Sequence, residues 1–169
     1  MNAKRLLVVL VAATAVGVYA GTVLATSSTG FTSTTLAKGH VDPLNINTYP
    51  PSEPPWQQPW GLILKTRAAS DLYVQSNVWA PGGSTGWHTH PGPSLITVTA
   101  GTVTAYESDD PSCTPHAYST GQTFVDPGGA HVHLIRNEGT VEARTITVQL
   151  IPVDATRRID SPAPGNCPF

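Results

Sequence analysis

An all-β domain, closed as a small barrel or packed as a two-sheet jelly roll, is the fold class this sequence predicts. Three observations carry it. From Gly61 onward, short segments rich in Val, Ile, Thr and Tyr follow one another; Gly, Pro and Asp punctuate them; and no stretch sustains the apolar period of a helix. About eight strands in so short a span must close on themselves or stack as two sheets, because open edges invite association. The 169 residues leave room for a single core.

The chain opens with Lys4 and Arg5, then an apolar run from Leu6 to Ala25 and a change to small polar residues. Residues 1–25 therefore read as a secretory signal peptide, with Val23 and Ala25 placed for cleavage after Ala25. The same run, at roughly 20 residues, is long enough to act as an uncleaved membrane anchor. Residues 26–60 are expected to form a flexible spacer and a proline-rich arm. Residues 26–40 are rich in Thr and Ser with few large apolar groups, and prolines crowd 43–59 around Trp56 and Trp60. The tryptophans are expected to pack the arm onto the domain.

The barrel itself is placed at 61–153. Its expected strands are 62–67, 72–80, 86–90, 95–99, 102–107, 123–126, 131–137 and 141–152, with Ala100 and Gly101 as a tight hairpin turn. Residues 154–169, containing Pro162, Pro164 and Pro168, are expected to be an irregular tail. The only cysteines are Cys113 and Cys167. An even pair in an exported chain predicts a disulfide that pins the tail to a loop, a closure that stabilises by about 4 kcal/mol on the chain-entropy model.

Lys4 and Arg5 are two of the nine basic residues, so the chain beyond the leader carries seven against eleven acidic. No Lys/Arg cluster occurs, which argues against nucleic acid and anionic membrane surfaces and leaves a small molecule as the expected partner. A membrane is expected only through an uncleaved N-terminus. There is likewise no phosphate-cradling glycine loop, no Ser/His/Asp pattern and no CxxC pair, which removes support for nucleotide binding, nucleophilic hydrolysis and dithiol chemistry.

Chemistry concentrates in two histidine pairs. His88 and His90 lie in GWHTHPG, and His131 and His133 in GGAHVHLIRN. Residues two apart on a strand project to one face, so two such strands side by side can present three or four imidazoles to one transition metal ion. Around the first pair, Gly82, His88, His90 and Gly101 stand at the spacing G-x5-H-x-H-x3-E-x6-G, with Ser94 at the glutamate position. Around the second, Gly121, Pro127, Gly129, His133 and Asn137 follow G-x5-P-x-G-x2-H-x3-N with one extra residue between Gly129 and His133.

Residues 70–152 thereby resemble the cupin superfamily. The resemblance implies a small β-barrel with one mononuclear site held by His88, His90 and His133, turn roles for the four glycines, and a structural Asn137 tying a strand end to a neighbouring turn. It implies a divalent transition metal, iron foremost, with zinc, manganese and nickel as alternatives. Cupins with three histidines and no ligating glutamate include iron dioxygenases acting on thiols, diketones and aromatic acids. Loss of the carboxylate at position 94 leaves a divalent ion with its full charge, which favours anionic ligands. His131 is open between a fourth ligand, a partner behind the ligands and a proton carrier, and it turns outward if the extra residue is a bulge. His116 is expected in a loop and His40 in the spacer. Trp87 should alternate away from the site, and the pocket is lined by either Ile96 and Val98 or Leu95 and Thr97.

The functional expectation is an exported metal-binding cupin acting on or binding a small polar or anionic molecule, with a dioxygenase-type oxidoreductase as the leading enzyme reading. A non-enzymatic binding or storage module and a degenerate structural barrel are the rivals, since one barrel hosts many chemistries. A homodimer through edge strands is a further alternative.

Overall fold

The computed structural model describes residues 24–49 and 60–169. The leader up to Val23, Trp56 and the prolines between 50 and 59 lie outside the described residues, so the signal-peptide expectation and most of the arm rest on the sequence; Trp60, which is described, is 57% exposed and does not pack onto the domain as expected.

Twelve strands make up the described chain, and no helix in it is long and apolar enough to cross a membrane. One layer runs β1 (Thr29–Val41), β4 (Ser70–Ser84), β11 (Ala143–Pro152), β6 (Ser94–Ala100) and β9 (Thr123–Asp126). The other runs β12 (Ile159–Asp160), β5 (His88–Thr89), β10 (His133–Arg136), β7 (Thr102–Glu107) and β8 (His116–Ser119). All pairings are antiparallel, and the layers are joined where Arg136 of β10 meets Ser84 of β4, giving a nearly closed barrel. β2 (Asn45–Thr48) and β3 (Leu62–Lys65) form a separate two-stranded ladder.

Strand alternation sorts the interior into two ends. Trp79, Ile96, Val98, Val103, Ala105, Ile135 and Ala143 fill one end with apolar side chains. Along β11 the inward row then turns polar through Thr145, Thr147 and Gln149, opposite Gln75 and Asn77 of β4. These groups bond one another: the Asn77 amide donates to Thr145 Oγ1 and Thr147 Oγ1 at 3.3 and 3.0 Å, and Gln149 Nε2 donates to Ser94 Oγ at 2.9 Å. Polar groups kept from water need such partners, so the polar end is built as a network and not as a greasy core.

Asn137 behaves as the sequence implies. Fully buried, its Nδ2 donates to the carbonyls of Trp79, Ala80 and Val141, and its Oδ1 accepts from Gly139 N. It ties the end of β10 to β4 and to the loop before β11.

Four expectations need correction. The spacer is not flexible over 29–41. Its Thr-rich run is a thirteen-residue strand paired with β4, with Phe31 packed on Trp79 at 4.8 Å between ring centroids. β-Branched Thr suits a strand, and the open edge of β4 supplies the backbone partners that few large side chains would otherwise have to earn. Gly101 does not close a hairpin between paired neighbours. At φ +69° it carries the chain from β6 in one layer to β7 in the other, and a Cβ there would meet Glu142 O at 2.7 Å. His116 opens β8 and is not in a loop. The tail, finally, contributes β12, which pairs with β5, so it is irregular only in part.

Candidate metal centre

β5 is only two residues long, yet it is flanked by β10 on one side and β12 on the other. Its His88 stands directly opposite His133 in the β5–β10 ladder, which brings their rings to 4.4 Å between centroids. His90 follows at the next same-face position, 4.9 Å from His88 and 5.6 Å from His133. All three are buried, at 4, 7 and 3% exposure, and each offers a nitrogen within 4.8 Å of the others.

Two of the rings are already oriented. His88 Nδ1 lies 2.9 Å from Gly86 O, and His90 Nδ1 lies 2.7 Å from Arg157 O. A carbonyl only accepts, so each Nδ1 carries the proton and donates, and each Nε2 keeps its lone pair free. Both ring nitrogens of His133 are buried without a hydrogen-bond partner, its Nδ1 standing 3.5 Å from Asp126 Oδ1. Three converging imidazoles, two locked with Nε2 unprotonated and the third unsatisfied, form a donor set that fits a borderline transition ion.

Burial sets the charge state. It holds His88 well below the usual imidazole range, His90 down at about 4 and His133 down at about 3; neighbouring histidines add to the effect, while the Arg157 carbonyl opposes it at His90. The metal-free rings are therefore neutral at physiological pH, the form that binds metal. In the unfolded chain they titrate near 6.5, so folded-state values this low give stability that is complete above that pH. It is lost as pH falls from about 6.5 toward 4 and then 3, where only the unfolded state gains protons. We expect the melting temperature of metal-free protein to fall continuously from pH 7 to pH 4. His133→Gln should flatten that dependence, and a flat profile in the wild type would contradict it.

Behind His133 stands a second group. Asp126, 3% exposed, sits directly across the β6–β9 ladder from Ser94; its Oδ1 accepts from Gly128 N at 2.9 Å and lies 3.2 Å from His131 Nδ1. His131 Nε2 is 2.7 Å from Glu107 Oε2, and burial raises the Glu107 pKa. His131 precedes β10 instead of lying on it, so its ring stacks behind His133 at 5.8 Å between two carboxylates. Asp126, His131 and His133 also place one ligand atom each within 4.8 Å of one another, so this geometry suits a ligand as well as a partner behind the ligands. Ser94 fills space and accepts the Gln149 bond. Ile96 and Val98 point inward while Leu95 is 52% exposed, and Trp87 packs on the far side with Tyr106 and Leu134.

Beside the three histidines lies a cavity of about 40 Å³. Its walls include Gln75, Asn77, Ser94, Ile96, Thr147 and Gln149, together with Arg157 and Arg158 from the tail. Asp126, Glu107 and the two arginines escaped the sequence reading. Strand alternation could have placed Asp126 on the face of Ser94, but no local signal returns the tail to β5. Cys113 and Cys167 are joined by a disulfide, with 5.2 Å between Cα atoms.

Residues 78–149 match the family model for a cupin domain. Solved structures similar to this chain include a cupin superfamily protein of Desulfitobacterium hafniense, 18% identical over 47% of this chain and 67% of that one, with a TM-score of 0.41. A cupin-like protein of Thermotoga maritima is 23% identical over 54% and 65%, with a TM-score of 0.45. A DMSP lyase of Ruegeria pomeroyi is 16% identical over 52% and 42%, also with a TM-score of 0.45. The chain thus spans about two fifths to two thirds of these proteins. No curated protein matches the sequence.

Proposed function

Starting from a chain whose residues 78–149 are a cupin domain, we propose that it holds one divalent transition metal through His88, His90 and His133 and presents it to a small polar or anionic molecule. The observation that carries this reading is the pair of backbone carbonyls, Gly86 O and Arg157 O, that fix the Nδ1–H of His88 and His90 and leave both Nε2 atoms unprotonated, in a cluster where each of the three histidines offers a nitrogen within 4.8 Å of the others. A histidine merely satisfied in a core would be hydrogen-bonded; neither ring nitrogen of His133 is, with Asp126 Oδ1 standing 3.5 Å from its Nδ1.

When bound, the metal supplies Lewis acidity or a centre for oxygen activation. The chain's own residues supply the rest. The three neutral imidazoles bring no charge of their own to the ion, the nearest carboxylate, Asp126, lies 3.5 Å from His133 Nδ1 and 3.9 Å from His90 Nε2, and the polar groups of Asn77, Thr147, Gln149 and Ser94 support the cavity beside them. Iron with dioxygenase-type oxidoreductase activity is the leading enzyme reading. The disulfide fits an oxidising compartment and, with the leader of residues 1–25, supports export of the domain.

Elemental analysis of full-length protein purified without chelators or metal-affinity resin tests this, followed by oxygen-uptake assays. Near-stoichiometric iron with substrate-dependent oxygen consumption is the expected result. Stoichiometric metal with ligand retention and no turnover would move the reading to a binding or storage module. No metal, even after reconstitution with iron, manganese and zinc, would overturn it in favour of a structural barrel.

A further inference from the structure

The extra residue between Gly129 and His133 has a structural consequence. Asp126 closes β9, Gly128 and Gly129 turn the chain at φ +70° each, and His131 returns beside Asp126 before β10 begins at His133. Glycine adopts that backbone at no steric cost. Among the described residues, His and carboxylate donor atoms therefore gather within 4.8 Å in two groups: His88, His90 and His133, and next to them Asp126, His131 and His133.

The second group is arranged as ligands are. Glu107 Oε2 lies 2.7 Å from His131 Nε2, off the line of a straight hydrogen bond but at the separation of a charge-assisted pair, about 2.7–2.9 Å. Asp126 Oδ1 lies 3.2 Å from His131 Nδ1, outside that range. The ring proton of a neutral His131 thus belongs on Nε2, and Nδ1 turns its lone pair toward Asp126. A carboxylate at the far nitrogen is the common support of a metal-ligating histidine. His133 Nδ1 stands 3.5 Å from the same Asp126 oxygen without a hydrogen bond, and Asp126 Oδ2, on a residue 3% exposed, has none either. A lone pair and a buried carboxylate facing each other are costly unless a proton or a cation lies between them.

We propose that Asp126, His131 and His133 form a second metal seat, for a divalent ion harder than the three-histidine centre selects, manganese(II) foremost. One carboxylate with two imidazoles suits such an ion better than three imidazoles do. A neutral His133 ring has one lone pair, so it serves one seat at a time and the chain holds one ion. This seat shares His133 with the preceding reading and depends on nothing else in it.

The test is manganese(II) titrated into metal-free full-length protein, the unbound ion being followed by its electron paramagnetic resonance signal, with zinc titrated in parallel. Wild type should bind one manganese coupled to two histidine nitrogens, and zinc should displace it through the shared His133. His131→Ala and Asp126→Asn should each weaken manganese at least about tenfold. Both should keep zinc in the three-histidine centre, which also shows that their folds are intact. Manganese bound as tightly by His131→Ala as by wild type would overturn the proposal and leave the three-histidine centre standing. Zinc uptake without manganese uptake in wild type would overturn it too, leaving His131 as an imidazolium held between two carboxylates. Loss of both ions in His131→Ala, at an unchanged metal-free melting temperature, would sink the three-histidine centre and keep this seat.

Discussion

His133→Ala is expected to abolish stoichiometric metal binding, with affinity falling by more than about a hundredfold, the upper end of what losing even a residue behind the ligands costs. Of the three, only His133 makes no side-chain hydrogen bond, its nearest carboxylate oxygen being Asp126 Oδ1 at 3.5 Å, so in the metal-free protein its burial is poorly compensated. Removing it costs packing volume but also removes two desolvated nitrogens, and these effects oppose each other. The metal-free variant should therefore melt close to metal-free wild type. The difference should appear on loading: metal at about a hundred times its dissociation constant stabilises the native state by about 2.7 kcal/mol, and the variant should show none of that. Comparing melts with and without metal separates a lost ligand from a damaged fold. Equal metal-induced stabilisation in both proteins would remove His133 from the ligand set. His88→Ala should match His133→Ala, since the two residues face each other across one ladder.

The parts of this molecule that could be read from sequence are those written in local periodicity. β6 and β11 follow alternation that survives folding, and β7 and β9 begin and end where their residues suggest. The spacing of His88 and His90 determines that they share a face, and the turn glycines bracket them. Less legible were features that depend on what a segment meets. β1 has an apolar content too low to advertise a strand, and it forms because β4 offers a free edge forty residues later. The tail looks irregular because prolines interrupt it, yet two residues suffice to pair with β5. Asp126 sits in a turn-like DPGG sequence and reads as a turn former, a role it does fill through Gly128 N. Only the β6–β9 register reveals that it also lies across from Ser94, so the carboxylate missing from one strand has a counterpart on the next. The direction in which His131 faces likewise depended on where β10 begins, which a strand of four residues does not announce.

Replacing both Cys113 and Cys167 by Ser is expected to lower unfolding free energy by about 4 kcal/mol on the chain-entropy model for a loop of this length, a large share of the roughly 5–15 kcal/mol that domains possess. The bridge spans 54 residues and joins the loop after β7 to the end of the tail. Its consequence reaches the histidines because of what lies on the tail between. Arg157 O fixes His90, β12 pairs with the β5 that bears His88, Ser161 N donates to Trp87 O, and Asn166 Nδ2 donates to Glu107 O and Asp110 O. With the covalent anchor gone, these few bonds must hold the tail by themselves, and local opening near a terminus is the least costly fluctuation available. Metal affinity should then fall by about ten- to a hundredfold, the range for losing a bond that orients a ligand, while stoichiometry at saturating metal stays at one. Denaturant melts of the double variant and of reduced wild type should agree with each other, and the amides of Ile159 and Ser161 should exchange faster in both. An unchanged unfolding midpoint with unchanged metal affinity would mean that the tail is held by its strand pairing alone, and that the disulfide does not reach the site it borders.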